Sequence, residues 1–444
     1  ISGISELEVL QSETSEYALT ANPNLPVFIL DGYEVSAEKI YDMDPNLIEN
    51  ITILKDAAAT AIYGSRAANG VIVIESVAPT VGKLNVTYNL TGSITQPDLT
   101  SYGLMDAREK LEAEVAAGLL DADDPLGLGT TYASRLADWR MKNNYITRGV
   151  DTYWLSKPLR TGVNHNHSLS INGGMEAIRF ALNLRYGMDN GVMKKSLRER
   201  FSVGLKLDYR MKAWQVTNDV SFGRTVSENS PYGSFTTYTY QNPYFYPYDE
   251  NGNVKQYLYQ PTLDGDVTVP NPLYNAAKNT RSESSYSEFN NNFSIEWNIM
   301  EGMTLRGKLS LNSKKESSDD FKPATHTDFT TTKYKGSYEK GERKTFTYDA
   351  NVVFNYARSF EKHSINVAAV WNVRESSVDS YSVLAVNYPN EQMDHFGMGT
   401  AFKEGGKPSG DYEVSRLMGF AGNVNYGWDN RYLLDLSIRT DGSS

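Results

Sequence analysis

Cysteine is absent from the 444 residues. That excludes a disulfide scaffold, a thiolate metal site and a thiol nucleophile. Long apolar runs are absent too, and none approaches the ~20 residues that a membrane-spanning helix needs. Positive charge is in deficit: 43 Lys and Arg stand against 54 Asp and Glu, a formal net charge of -11. An acidic chain repels phosphate backbones, so nucleic acid is not an expected partner. Histidine is scarce at five residues, and there is no nucleotide loop and no nucleophile elbow. No catalytic residue is nominated, no enzyme is expected, and no cofactor is implied. No initiator Met or apolar leader precedes Ile1-Ser2-Gly3. Asp441 to Ser444 form a turn after an apparent strand. Both ends read as cuts through a longer protein.

What is present points elsewhere. The chain holds 30 Tyr, 16 Phe, 6 Trp and 34 Gly, at a mean hydropathy of -0.48. A membrane β-barrel has this profile, because its strands alternate apolar and polar residues and the average stays low.

Residues 1–78 read as a small α/β unit. Pro26 to Leu30 is a short strand closed by the turn Asp31-Gly32, and Asn50 to Leu54 is a second. Asp56 to Tyr63 is an alanine-rich helix, with Asp56 as its N-cap and Gly64 just past its end. Asn69-Gly70 turns into a third strand, Val71 to Ile74.

Residues 79–444 follow one pattern. Apolar residues take every second position: Leu84, Val86, Tyr88 and Leu90, then Leu182 and Leu184, Leu205 and Leu207, Phe293 and Ile295, Phe354 and Tyr356, Leu434 and Leu436. Polar residues fill the gaps, which gives strands with two unlike faces. About eleven such strands are expected, near 83–96, 165–172, 177–188, 199–210, 214–224, 286–299, 303–313, 344–357, 362–374, 416–428 and 431–440. Short and long connections alternate. The long ones are 97–164, 189–198, 225–285, 314–343 and 375–415, and helices are expected at 106–119 and 134–143 within the first. Turns at one end and long loops at the other fit an outer-membrane barrel, with the long loops extracellular. A soluble all-β protein is the competing reading, but it seldom keeps long loops on one side only.

The string Leu54 to Ile74, LKDAAATAIYGSRAANGVIVI, resembles the plug signature of the SusC/RagA family of TonB-dependent transporters of Bacteroidota. Its named positions are Lys55, Asp56, Ala59, Tyr63, Gly64, Arg66, Asn69 and Gly70. Pro26 to Gly32 and Asp44 to Glu49 resemble the plug segments upstream, and Arg431-Tyr432 with Arg439 to Ser444 resembles a mid-barrel strand and loop. Ala68 stands where the family usually has Gly, and Glu75-Ser76 where it has Thr-Thr-Lys. The resemblance implies an all-β membrane barrel, here half of an antiparallel barrel of about 22 strands, with a small N-terminal α/β plug. It implies the bacterial outer membrane, with bilayer lipid around the barrel, and import of an oligosaccharide or a peptide. The TonB–ExbB–ExbD complex would drive import through a segment outside this chain, and a SusD-like surface lipoprotein would cap the loops. A receptor or adhesin that binds without transporting is the alternative class. The plug string Lys55 to Ile74 would be held by Arg185, Lys206, Asp208 and Glu296. Half a barrel leaves two unpaired edges and is not expected to fold alone.

Three features carry candidate binding chemistry. His165 and His167 share a strand face, but two ligands do not make a metal site. They read equally as polarity near the rim. Asp249 to Asn253 has part of a calcium-loop pattern without its bidentate Glu, and a hairpin turn is the plainer account. The segment with Tyr238, Tyr240, Tyr244, Phe245 and Tyr246 is the best candidate for ligand or partner contact, since aromatic faces with polar tips suit sugars or peptides. Packing of that loop on itself is the alternative. Trp297, Trp371, Tyr426, Trp428 and Tyr432 fit interfacial girdles.

Overall fold

The computed structural model describes residues 25–54, 69–121, 123, 131–259, 269–429 and 431–444. The helix expected at Asp56 to Tyr63 lies outside the described residues.

A small sheet comes first. Strands β1 (Val27–Leu30), β2 (Tyr33–Val35), β3 (Ile48–Leu54) and β4 (Val71–Ser76) stand in the order β2-β1-β4-β3. β1 and β4 run parallel, from Val27 opposite Val71 to Leu30 opposite Ile74. Their apolar side chains form the centre, with Ile29, Val71 and Ile74 buried. β2 escaped the sequence reading because three residues are too few to show alternation. Between β2 and β3, Ser36 caps the helix Ala37–Tyr41 and Asp44 caps the 3-10 turn Pro45–Leu47.

The rest is one large antiparallel sheet. Its long strands are β5 (Gly82–Thr95), β6 (Gly162–Gly174), β7 (Ile178–Asn190), β8 (Leu197–Met211) and β9 (Trp214–Glu228). After a small loop hairpin of β10 (Tyr257–Tyr259) and β11 (Val269–Pro270) come β12 (Arg281–Met300), β13 (Met303–Lys322), β14 (Ser337–Phe360) and β15 (His363–Val386). The short β16 (Ala401–Phe402) pairs with β15, and β17 (Ser409–Trp428) and β18 (Tyr432–Ser443) complete the order. Each long strand pairs with its sequence neighbour among the long strands, from β5 to β18. No described helix is long and apolar enough to cross a membrane.

The two faces differ as alternation requires. Leu84, Leu90, Leu205, Trp371, Phe420 and Leu436 are exposed, and Leu182 and Ile295 are partly so. The apolar rows therefore point away from the plug rather than into a sealed interior. Side chains of the opposite face meet the plug from six strands, β7, β8, β9, β12, β13 and β15. The sheet is a wall wrapped around the small domain.

Several strands outrun the expectation. β12 begins at Arg281, β13 ends at Lys322, β14 begins at Ser337, β15 ends at Val386 and β17 begins at Ser409. The expected loops 225–285, 314–343 and 375–415 are correspondingly shorter. Over most of these extensions polar residues take both faces, so alternation is lost while pairing continues. Cross-strand charges dominate there, with Lys315 meeting Glu342 at 2.7 Å and Asp319 meeting Lys340 at 3.1 Å and Arg281 at 2.9 Å, and Phe321, Tyr338, Ala385 and Tyr388 form a buried cluster at the tips. Both β14 and β15 have 24 residues, paired throughout. That is about 80 Å of strand, well beyond the ~10 residues a tilted bilayer crossing uses.

The first long connection holds the helices Ala107–Ala116 and Tyr132–Thr147. Asp106 and Glu109 form a reciprocal capping box on the first.

Candidate functional site

The plug is seated by charge. Asp42 closes the helix Ala37–Tyr41, its N–H bonded to the Glu38 carbonyl at 2.8 Å. A carboxylate at a helix C-terminus opposes the helix dipole and needs cations. The wall supplies them. The Asp42 carboxylate accepts from Arg198 at 3.1 Å, Arg200 at 3.4 Å and Thr225 at 3.2 Å, and from the Tyr286 hydroxyl. Arg185 donates to the Asp42 carbonyl.

Further links surround this hub. Lys206 donates to Asp31 at 2.7 Å and Ser76 at 3.0 Å, and Lys39 reaches Ser221 at 3.1 Å. Glu34 pairs with Arg374 at 2.9 Å. The Tyr33 hydroxyl donates to the Phe293 carbonyl at 3.1 Å, and the Lys308 ammonium lies 5.0 Å from its ring centre. Burial, and then the Asp219 charge, push the Tyr33 phenol up to about 12.

Two of the four side chains expected to hold the plug string meet the plug at other described residues: Arg185 binds Asp42 and Lys206 binds Asp31, while most of the string itself lies outside the described residues. Asp208 instead accepts from Arg210 at 3.0 Å and Gln215 at 2.9 Å, and Glu296 pairs with Arg306 on the wall itself. Among the described residues, wall neighbours on the same strand or the next one satisfy these two carboxylates. Of the signature positions, Asn69 and Gly70 are described, and Gly70 takes a φ of +93° where the chain enters β4. Lys55, Asp56, Ala59, Tyr63, Gly64 and Arg66 lie outside the described residues.

Plug and wall border an open chamber of about 1860 Å³. The β1–β2 hairpin and the residues after it, from Gly32 to Glu38, form one side. The inner faces of β12 to β15, β17 and β18 form much of the other. Hydroxyls, amides and charges dominate the lining, as with Ser310, Asn312, Asn351, Asn372, Asn423 and Glu288, and aromatic side chains are few. This volume exceeds the 300–1,000 Å³ of common small-molecule sites.

The aromatic loop divides in two. Tyr238, Tyr244 and Phe245 are buried in a cluster with Ala107, Trp154, Leu155, Leu258 and Leu273. They cannot meet a solute unless that core opens, so for them the expected contact role gives way to packing of the loop on itself. The phenols point at internal acceptors: Tyr238 donates to the Tyr232 carbonyl at 2.9 Å and Tyr244 to Glu114 at 2.7 Å. Burial raises both far above the usual phenol range. Tyr240 and Tyr246 remain exposed.

His165 and His167 face each other 5.2 Å apart between ring centres, and the second bonds the Tyr88 hydroxyl at 2.6 Å. Among the described residues no group of three or more His, Cys, Asp or Glu side chains gathers to hold a metal. Asp249 accepts the Asn251 and Asn253 N–H groups at 2.9 and 2.8 Å, the geometry of a turn. Girdle candidates face outward: Trp297 stacks on Trp214 at 5.0 Å, and Trp428 on Tyr432 at 5.5 Å.

Comparison with known proteins agrees with this geometry. The TonB-dependent Receptor Plug Domain family matches residues 13–71. TonB-dependent receptor P3 of Formosa agariphila is 25% identical over 424 residues, which are 90% of this chain and 38% of the relative. TonB-dependent receptor SusC of Bacteroides thetaiotaomicron is 32% identical over 192 residues, 41% of this chain and 17% of that one. In structure the chain superposes on the RagAB peptide transporter with a TM-score of 0.77, at 20% identity, over 95% of this chain and 49% of that one. The unliganded ferric citrate transporter FecA shares the fold at a TM-score of 0.56 and 7% identity. The chain spans about 40% of the length of curated relatives such as P3 and P26, and these relatives are receptors rather than enzymes. A polar-faced wall, a seated plug and these likenesses make the chain similar to the SusC/RagA-like TonB-dependent receptors and give it the fold of part of a plugged outer-membrane β-barrel.

Proposed function

We propose that the whole receptor imports an oligosaccharide across the outer membrane, driven through TonB, ExbB and ExbD. One observation carries this reading: a plug held by reversible ion pairs closes a large polar chamber. Solute that has entered such a chamber crosses only when the plug moves, and the bonds that hold it are those a mechanical pull can break. Hydroxyl and amide groups suit the many hydroxyls of a sugar chain. The long-loop end faces outward, where a SusD-like lipoprotein would sit over it, and Tyr240 and Tyr246 are the exposed aromatics that remain for contact. Peptide import is the second reading. It draws on the acidic and basic groups interleaved along the lining and on the likeness to a peptide transporter.

The test is uptake of labelled oligosaccharides and peptides by cells with the gene intact, deleted, or intact without TonB. Oligosaccharide uptake lost in both mutants is the expected result. Surface binding that persists without TonB, with no uptake in any strain, would replace the importer by a receptor or adhesin.

A further inference from the structure

We propose that a cleft in the first long connection, separate from the chamber, is a subsite for an acidic sugar unit, one carrying a carboxylate or a sulfate ester. The proposal rests on the oligosaccharide reading above and narrows it.

The cleft has a volume of about 400 Å³ and is lined by Arg148, Asp151, Thr152, Lys157 and Tyr246 together with Gly149 and Val150. Both cations stand at fixed points of the backbone. Arg148 caps the C-terminus of the helix Tyr132–Thr147, its N–H bonded to the Asn144 carbonyl at 3.0 Å. Lys157 ends the 3-10 turn Trp154–Ser156, and Lys194 holds its carbonyl at 2.6 Å. The Thr152 N–H bonds the Pro243 carbonyl at 2.8 Å, which ties this wall of the cleft to the segment that bears Tyr246. Tyr246 is 47% exposed and sits edge-to-face with Tyr248, their ring centres 5.6 Å apart. The contact orients the ring and leaves surface open.

Charge separates this cleft from the chamber. In the chamber most cations are matched, as with Arg374 and Glu34 at 2.9 Å, Arg198 and Asp42 at 3.1 Å, and Arg439 and Asp441 at 2.8 Å. Among the described residues the Arg148 and Lys157 side chains have no ion pair. The single acid in the cleft is engaged: Asp151 accepts the Ala107 N–H at 3.1 Å, at the positive end of the helix Ala107–Ala116. What sets the cleft apart is that the two cations share its lining with an open tyrosine and with no acid free to neutralise them.

The chemistry follows from the residue types. A tyrosine face takes the C–H face of a pyranose ring. A guanidinium forks onto the two oxygens of a carboxylate or sulfate, and an ammonium adds a second charge. A neutral sugar here would shield both cations from water and return nothing to them.

The experiment is calorimetry on the purified full-length receptor with four probes: an oligogalacturonate, a sulfated oligosaccharide, a neutral oligosaccharide of equal length and an acidic peptide. An acidic oligosaccharide should bind about tenfold tighter than the neutral one, and salt should erode that margin. The double substitution Arg148→Ala, Lys157→Ala should remove the margin, and Tyr246→Ala should weaken binding where Tyr246→Phe does not. All three positions lie on a loop surface, so thermal melting should stay unchanged and serve as the folding control. Equal binding of neutral and acidic oligosaccharides, unmoved by the double substitution, overturns this inference and leaves oligosaccharide import standing. Binding of the peptide and of no oligosaccharide overturns the import reading itself.

Discussion

Asp42 accepts four side-chain donors from β8, β9 and β12, and its carbonyl takes a fifth from β7. Its side chain is only 12% exposed, and those of Arg198 and Arg200 are 26% and 13% exposed. Removing its carboxylate takes one counter-charge from two part-buried arginines, although Arg200 keeps Asp189 and Arg198 keeps Ser227, a loss of up to about 3 kcal/mol. Asp42→Ala in the full-length receptor should therefore loosen the plug while the wall persists. Limited proteolysis of the detergent-solubilised protein checks this: cleavage within residues 25–54 should speed up at least tenfold, with the wall fragment intact. Unchanged protection would show that the plug is held chiefly elsewhere. Nothing in the sequence marks Asp42. It is one acid among 54 Asp and Glu, and its partners lie more than 140 positions away. Such a group becomes visible only when the wall folds around it.

At the scale of elements, alternation made the strands legible wherever one face meets lipid and the other the polar interior. Leu205 and Leu207 against Lys206 and Asp208 is the pattern in miniature. It failed where polar residues take both faces, so Lys314 to Lys322, Ser337 to Arg343 and Glu375 to Val386 read as loop. The tight turns at the opposite end carry a second regularity. Each puts a residue in the left-handed region: Lys212 at a φ of 43°, Gly302 at 76°, Glu361 at 52° and Asp429 at 53°. Only Gly302 is free of strain there, and a Cβ on it would lie 2.0 Å from the Ala357 carbonyl oxygen. Gly302→Ala should lower the thermal midpoint of the folded receptor. Lys212→Gly and Glu361→Gly should each stabilise their hairpins by ~0.5–1 kcal/mol, because glycine relieves the side-chain penalty. Thermal melting of the three variants tests the pair of opposite signs. A gain from Gly302→Ala would refute the steric account.

For the whole molecule, the outward apolar rows must face lipid for the fold to make sense. Leu436 is 64% exposed on that face, and Asn423 lines the chamber on the other. Leu436→Arg should cost about 2–4 kcal/mol if it lies near the bilayer midplane, and Asn423→Lys far less. Folding of the full-length receptor into lipid vesicles, followed by a gel shift against denaturant, would show the difference. Equal costs at the two positions would mean that the faces have been misassigned. The seating of the plug has one more consequence. Among the described residues, its links to the wall come from residues 31–42, with Ser76 sharing Lys206. Tension along such a short run of backbone reaches the contacts in succession, so they peel rather than shear. The threshold for release then tracks the single toughest attachment, the cluster at Asp42, and not their sum, and refastening can proceed one contact at a time once the load is gone.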